Sequence, residues 1–528
     1  MNLPSGTQEI ELKLLFDPAE LSIFRKSRDI LSFSEGRARQ VRLRAVYFDT
    51  PDLVLSRNGM ALRVRREKGQ WVQTLKGQIG GAGLVARRLE INLPVSGPVP
   101  DLSLVADKAV RKKILELCKG QELTEICQTD VRRVIRDLVV DDCRIEMVID
   151  TGSIRSGSGG ETFSGGEPVS ASVSEVELEL KAGPVQKVLK LVRQWNEHYS
   201  FRIGVYSKAE RGFNLYRFGV ETGTAEVRAG DVRFKKRVSG WDVAALAMSS
   251  AVEQLQRNAE LLPVLGEDRI EILHQYRIAI RRLRTVLGLL DQSFPKKSGR
   301  KKLAKRLKAL QRVSGVGRDW DVLIAEGLLP LLEKHAGDAE KSAALRALLQ
   351  KAEAARHAAY RTILEGLQSR DFTALLLDVT ALVLRQGDKK GEHAVSELWK
   401  TLLNDRRSDI LYQVPGDILV MDIEALHELR LKVKTMRYSS EFFASFGEEE
   451  KTALFIRRCK KLQGRLGSLN DTLVADQLLG ALREPGNDSL NRAIDLTLKY
   501  YQKAEARQMK KLGETWQKFC EAKPFWKK

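Results

Sequence analysis

Apolar and charged positions alternate through the first two hundred residues of the chain. Glu9, Glu11 and Lys13 interleave with Ile10, Leu12 and Leu14. Successive side chains of a strand point to opposite faces, so this segment predicts a strand with one charged and one apolar side. The same period recurs in Leu62-Arg63-Val64-Arg65, Val72 to Lys76, Arg88-Leu89-Glu90-Ile91, Asp130 to Ile135, Arg144 to Asp150, and Glu175-Val176-Glu177-Leu178-Glu179-Leu180. A solvated edge of an antiparallel sheet shows the same alternation. Many short strands, each charged on one face, are hard to direct all at bulk water in one compact domain. Closing the sheet into a barrel gives those faces a common lumen and removes the sheet edges. A lumen lined by both Arg/Lys and Glu suits a polyanion that meets the cations directly and the carboxylates through a hard divalent cation.

The period changes after a small, polar stretch at 219–230. Ala244, Leu246, Ala247, Met248, Ala251 and Leu255 follow three-and-four spacing, and helix formers dominate from there on. The expected organisation is α+β and multidomain, with a β domain over 1–218, a linker over 219–238 and an all-α bundle over 239–528. The break predicts that residues 1–220 fold by themselves. The Gly/Ser-rich stretch from Ser153 to Ser174 reads as a flexible loop between two strands.

The helical half contains an internal repeat. His274-x-x-Arg277-x-x-x-Arg281-x-x-Arg284 recurs as His427-x-x-Arg430-x-x-x-Lys434-x-x-Arg437 with identical spacing. On a helix these four positions lie within about 80° of one another. Tyr276, Ile280, Leu283 and Leu287 fall on another side, as do Leu429, Val433 and Met436. Each helix is thus predicted to carry a core stripe and a separate His-plus-basic stripe. A basic run that includes Lys305 then leads to Arg318-Asp319-x-Asp321, and a second basic run leads to Asn470-Asp471. A duplicated bundle whose pseudo-twofold symmetry brings two basic faces together would have this pattern.

Charge sharpens the picture. The chain has 528 residues and a net charge of +20. By position the excess divides into about +8 before residue 239 and about +12 after it, so no basic tail accounts for it. Between residues 270 and 318 there are fourteen Lys/Arg against two acidic residues, a density that is costly unless an anion is bound. A solvated basic helix face would leave the matched spacing of the two copies unexplained. The positions that recur in both copies include no carboxylate or cysteine beside His274 and His427, so phosphate contact suits them better than metal. Aromatic residues make up 6% of the chain, which offers few stacking surfaces for single-stranded nucleic acid. Five scattered cysteines without a CxxC, no apolar run near 20 residues and no basic-then-apolar leader at the N-terminus point to a cytoplasmic protein without a membrane span.

Residues 1 to about 218 resemble a CYTH domain, the triphosphate tunnel metalloenzyme fold. The resemblance rests on Glu9-x-Glu11-x-Lys13, Tyr47-Phe48-Asp49-Thr50-Pro51, Leu62-Arg63-Val64-Arg65, Thr74-Leu75-Lys76, Arg88-x-Glu90, Asp130 with Arg133, Glu146 with Asp150, Glu175-x-Glu177-x-Glu179 and Ser207-Lys208-x-x-Arg211-Gly212. It implies an eight-stranded antiparallel tunnel in which Glu9, Glu11, Glu177 and Glu179 hold Mg²⁺ or Mn²⁺. It also implies that Lys13, Arg63, Arg65, Lys76, Arg88, Arg133, Lys208 and Arg211 grip a linear triphosphate. Lys13, Lys76, Glu90 and Glu146 are the candidates for the catalytic step. The helical half resembles the CHAD domain, which implies a basic groove for inorganic polyphosphate. Its contacts would be His274, Arg277, Arg281, Arg284, Lys305, Arg318, His427, Arg430, Lys434 and Arg437.

The expected activity is metal-dependent hydrolysis of tripolyphosphate to diphosphate and phosphate, tethered to a polyphosphate-binding module, with no specific nucleic-acid partner. Thiamine-triphosphatase or adenylate cyclase chemistry on the same tunnel is the alternative, as is a non-enzymatic polyphosphate binder. Fold resemblance does not separate these.

Overall fold

Nine strands, antiparallel at every pairing, form one sheet: β1 (Ile10–Phe16), β2 (Ser34–Asp49), β3 (Met60–Glu67), β4 (Gln70–Gly80), β5 (Arg87–Val95), β6 (Thr124–Val140), β7 (Cys143–Ser156), β8 (Ser170–Ala182) and β9 (Phe201–Ile203). Their order is β5-β4-β3-β2-β6-β7-β8-β1-β9. The computed structural model describes residues 10–67, 69–80, 87–157, 168–222, 226–228, 239–264, 269–289, 299–385 and 395–527. Eight strands were expected; the ninth is a three-residue strand pairing Ile203 with Leu14 on the second edge of β1. The flexible-loop reading of Ser153–Ser174 is corrected at both ends. Ser153 pairs with Ser172 and Arg155 with Ser170, so β7 and β8 run well into the Gly/Ser-rich stretch, where cross-strand backbone hydrogen bonds outweigh the loop-like composition.

The alternation resolves as predicted. Leu12 and Leu14 of β1, Met147 and Ile149 of β7, and Val176 and Leu178 of β8 are all buried. Phe16 stacks on Phe24, and Phe24 meets Trp195 edge-on at 5.1 Å, so the apolar back of β1 is covered by the helix Val185–His198. The Asp49 of the Tyr-Phe-Asp-Thr-Pro segment is fully buried and accepts from the backbone N–H groups of Thr50, Leu55 and Ser56, each at 2.8 Å. Its job is to shape the turn that follows β2.

Six helices carry the remaining motifs: α1 (Lys208–Phe218), α2 (Gly240–Leu261), α3 (Arg269–Leu289), α4 (Arg300–Val322), α5 (Ile423–Phe442) and α6 (Glu449–Gly480). Contacts divide the chain into two compact units. One contains 1–229 together with Val252–Tyr276 and Gly366–Arg385, and the other contains the rest. In the first, the helix Arg370–Val383 docks on the β domain. Asn196 Nδ2 donates to Arg370 O at 2.9 Å, and Thr373 Oγ1 donates to Phe201 O at 3.0 Å. In the second, Ile280, Leu283 and Leu287 of α3 and Leu429, Val433 and Met436 of α5 are buried, as the repeat predicts. Among the described residues no helix is long and apolar enough to cross a membrane. Cys118, Cys127, Cys143 and Cys459 are buried free thiols.

Candidate functional site

The charged faces of β1, β3, β4, β6, β7 and β8 converge on a cavity of about 550 Å³ in the first unit. Its lining includes Glu11, Lys13, Arg63, Arg65, Lys76, Glu90, Arg133, Glu146, Glu177, Glu179 and Lys208 from the sequence reading. Register explains the convergence. Glu11 lies opposite Glu179 and Lys13 opposite Glu177 on β8, while Glu146 and Val148 of β7 pair with the same two β8 positions. Glu9 and the Arg88 side chain lie outside the described residues. Arg211 does not line the cavity; it is buried, with Nη1 3.3 Å from Glu175 Oε2 and Nη2 donating to Ser172 O at 2.6 Å.

α1 delivers Lys208 by a specific local device. Ser207 caps the helix by accepting from the Glu210 N–H, and the Glu210 carboxylate accepts from the Ser207 N–H at 2.9 Å. Gly212 lets α1 lie against β6, because a Cβ there would meet Cys127 Sγ at 2.2 Å. Lys208 Nζ then sits 2.7 Å from Asp150 and 3.0 Å from Glu177, and also bonds Glu175. Lys13 Nζ reaches Glu175 and Glu177 at 3.2 and 3.1 Å. Arg133 forms a fork on Asp150 at 2.8 and 2.7 Å. Burial works against the Lys208 charge, yet Glu177, Glu175 and Asp150 outweigh it and hold the ammonium above its ordinary value. Burial likewise disfavours ionised Glu177, but Lys208, Lys13 and Arg133 hold it well below the usual carboxylate range.

Asp150, Glu175 and Glu177 place carboxylate oxygens within 4.8 Å of one another. Lys13, Arg133, Lys208 and Arg211 pair with these three in a web of ion pairs. Three further carboxylates of the kind that suits a hard divalent cation lie farther along the strands. Glu11, Glu179 and Glu146 occupy directly opposed positions on three adjacent strands, each half-buried on the cavity wall. Lys181 attends this group, with Nζ 2.6 Å from Glu179 and 3.6 Å from Glu146. On the opposite wall, Lys76 pairs with Glu90 at 2.8 Å, and Arg63 Nε is buried without a partner among the described residues.

Several lining groups escaped the sequence reading. Lys181 extends the β8 alternation by one step and was legible in principle. Tyr206, Glu253, Gln256 and Arg257 also line the cavity, the last three from α2. No motif announces them, because they reach the lumen only through packing.

In the second unit, α3 and α4 hold one basic face. Arg277 Nη1 donates to Gln311 O at 2.8 Å, and Arg284 bonds the Gln311 carboxamide. The equivalent arginine of the second copy, Arg430, donates from Nη1 to Asn470 Oδ1 on α6 at 3.4 Å. Burial, then the charges of Arg281, Arg430, Arg277 and Arg437, push the Lys434 ammonium down to about 8. Burial also lowers Arg277 and Arg281. Arg318 and His427 are half-buried and Lys305 is exposed. His274 lies half-buried on α3 and falls in the first unit.

Residues 7–213 match the CYTH domain family, and residues 246–480 match the CHAD domain family. The chain carries a CYTH domain followed by a CHAD domain. An inorganic triphosphatase of Haemophilus influenzae is 28% identical over 209 residues, which is 39% of this chain and 55% of that protein. The chain thus spans about half the length of this curated relative. Among solved structures, a CHAD domain from the plant Ricinus communis is 25% identical with a TM-score of 0.46, covering 57% of this chain and 98% of that one. The protein PptA from Streptomyces chartreusis is 16% identical with a TM-score of 0.41, covering 53% and 99%. The CYTH match spans the cavity strands, and the CHAD match spans both copies of the His-plus-basic repeat.

Proposed function

We propose that this protein is a metal-dependent inorganic triphosphatase that cleaves tripolyphosphate to diphosphate and phosphate in the CYTH tunnel, with a CHAD domain that binds long-chain polyphosphate. The carrying observation is the two-sided lumen, where Lys13, Arg63, Arg65, Lys76, Arg133 and Lys208 share one cavity with Glu11, Glu146 and Glu179. A site for anions alone would gain nothing from that carboxylate group. The Haemophilus relative, named an inorganic triphosphatase, supports the reading. The proposed domain limits are 1–218 and 239–528.

In this reading Glu11, Glu177 and Glu179, with Glu146 beside them, would hold Mg²⁺ or Mn²⁺, and Glu9, two residues before Glu11 in sequence, is expected to join them. When bound, such an ion neutralises phosphoryl oxygens and acidifies a coordinated water. The protein's own groups do the rest. Lys13, Arg133 and Lys208 are locked by Asp150, Glu175 and Glu177, so they present charge to the substrate without reorganising. Arg63, with an unpaired Nε, is poised to donate to a phosphoryl oxygen. Desolvation opposes ionised Glu90, but Lys76, Asn92 and Arg63 keep its value lowered, so Glu90 serves to position Lys76 rather than to carry a proton.

The CHAD part of the reading rests on the crowding of Arg277, Arg281, Arg430, Lys434 and Arg437, a charge cluster that a bound polyanion would relieve.

The test is phosphate release by the full chain from tripolyphosphate, ATP, thiamine triphosphate and long-chain polyphosphate, with Mg²⁺, with Mn²⁺ and with EDTA. Metal-dependent release from tripolyphosphate above the others is expected. Absence of release from tripolyphosphate in every metal would sink the proposal.

A further inference from the structure

Part of the tunnel wall lies outside the residues that match the CYTH family. Glu253, Gln256 and Arg257 of α2 line the same cavity as the substrate-gripping cations. Arg257 is committed to this wall. Its Nη2 lies 3.1 Å from Glu210 Oε1, its Nε lies 3.3 Å from Glu253 Oε1, and its guanidinium covers the Tyr206 ring at 4.9 Å. Two carboxylates against one guanidinium leave this stretch net negative, beside a lumen that is otherwise rich in cations.

Gln256 is the anomaly. It is 2% exposed, and neither its Nε2 nor its Oε1 has a hydrogen-bond partner among the described residues. A buried amide of this kind is costly, and one in a cavity wall is satisfied when something in the cavity bonds to it. A neutral carboxamide can donate to a phosphoryl oxygen without adding charge to an already acidic wall.

We propose that Gln256, with Glu210 and Glu253, is the end stop of the tunnel and selects triphosphate over longer linear polyphosphates. The carboxamide N–H donates to a terminal phosphoryl oxygen, and the two carboxylates repel a fourth phosphoryl group. This deepens the triphosphatase reading and rests on it. It makes Gln256 a specificity-determining residue contributed by the helix that follows the CYTH domain.

Binding tests it separately from turnover. Calorimetric titration of the full chain, with Arg281 and Lys434 charge-reversed to silence the CHAD site and EDTA present, should show at least about tenfold tighter binding of tripolyphosphate than of tetrapolyphosphate, the factor that one hydrogen bond to a charged oxygen supplies. Gln256→Met should lose about that factor for tripolyphosphate while its melting temperature holds or rises, because an unsatisfied amide is removed from a buried site. Glu253→Gln, at a partly exposed position, should narrow the discrimination between the two lengths and serves if Gln256→Met does not fold. Equal affinity of the charge-reversed chain for both lengths, or unchanged tripolyphosphate affinity when folded Gln256→Met is added to it, overturns the end stop. Selective binding without phosphate release under any metal would overturn the hydrolase reading and leave the end stop standing.

Discussion

The guanidinium of Arg281 stacks over the ring of Tyr438 at 5.1 Å, so a cation from the first repeat copy rests on an aromatic side chain next to the second. Arg437 covers the same ring at 4.4 Å. One tyrosine thus bears two guanidiniums from helices about 150 residues apart in sequence. Cation–π contact offsets part of their mutual repulsion, at about 0.5–2 kcal/mol per pair. Glu441 Oε1, 3.8 Å from Arg437 Nη1, offsets a further part.

Charge reversal at Arg281 and Lys434 together should weaken long-chain polyphosphate binding by at least about 100-fold, since both positions act on one polymer and many counterions are released on binding. Wild-type binding should fall steeply between low and physiological salt, and tripolyphosphate hydrolysis should survive the double substitution. A titration of both proteins at two salt concentrations decides it. Unchanged affinity would mean that the stripes are only solvated helix faces.

Lys434 gives the CHAD domain a pH signature. Its folded-state value of about 8 lies below the ordinary 10.5, so the folded protein discharges it first. Between those values the unfolded chain binds more protons, and stability without ligand should rise with pH. Polyphosphate needs the charged form, so affinity should fall from pH 7 to about 9.5, in the opposite direction. Lys434→Arg should flatten the affinity profile. A profile equally steep in wild type and variant would contradict the assignment.

Glu11→Gln should abolish metal-dependent tripolyphosphate hydrolysis with the fold intact, because one of the three opposed carboxylates is lost. The measurement is phosphate release against Mg²⁺ concentration, alongside the circular dichroism spectrum. Turnover like that of the wild type would remove Glu11 from the metal site.

Lys208→Met strips the shared cation from Asp150, Glu175 and Glu177, of which the first two are fully buried. Breaking a buried ion network from one side costs about 3–5 kcal/mol. Urea unfolding should report that loss at pH 7. It should shrink in acid, because the depressed Glu177 contributes stability above its unfolded value and loses it as pH falls through its folded value.

Residues 1–220 expressed alone should be less stable than the same residues in the full chain. Truncation removes the hydrogen bonds from Asn196 Nδ2 to Arg370 O and from Thr373 Oγ1 to Phe201 O, at about 0.5–1.5 kcal/mol each, since water takes the partners' places. It also removes the Val252–Leu261 wall. Equal urea midpoints for fragment and full chain would show that the docked helices are dispensable.

Local periodicity made much of this protein legible. Alternation of Glu11, Lys13, Glu175, Glu177 and Glu179 with Leu and Val marks both the strands and the faces that meet in the lumen, because side-chain direction along a strand follows from position alone. The repeat spacing from His274 to Arg284 and from His427 to Arg437 likewise separates the basic stripe from Ile280, Leu283, Val433 and Met436 by helical geometry. What needed the tertiary structure was partnership. That Asp150, Glu175 and Glu177 pair with Lys13, Arg133 and Lys208 follows from how the strands and the Lys208 helix pack, and the spacing carries no sign of it. Gln256 and Arg257 belong to a helix with no strand period and no motif. They reach the cavity because α2 packs there, and packing between segments distant in sequence has no local signature.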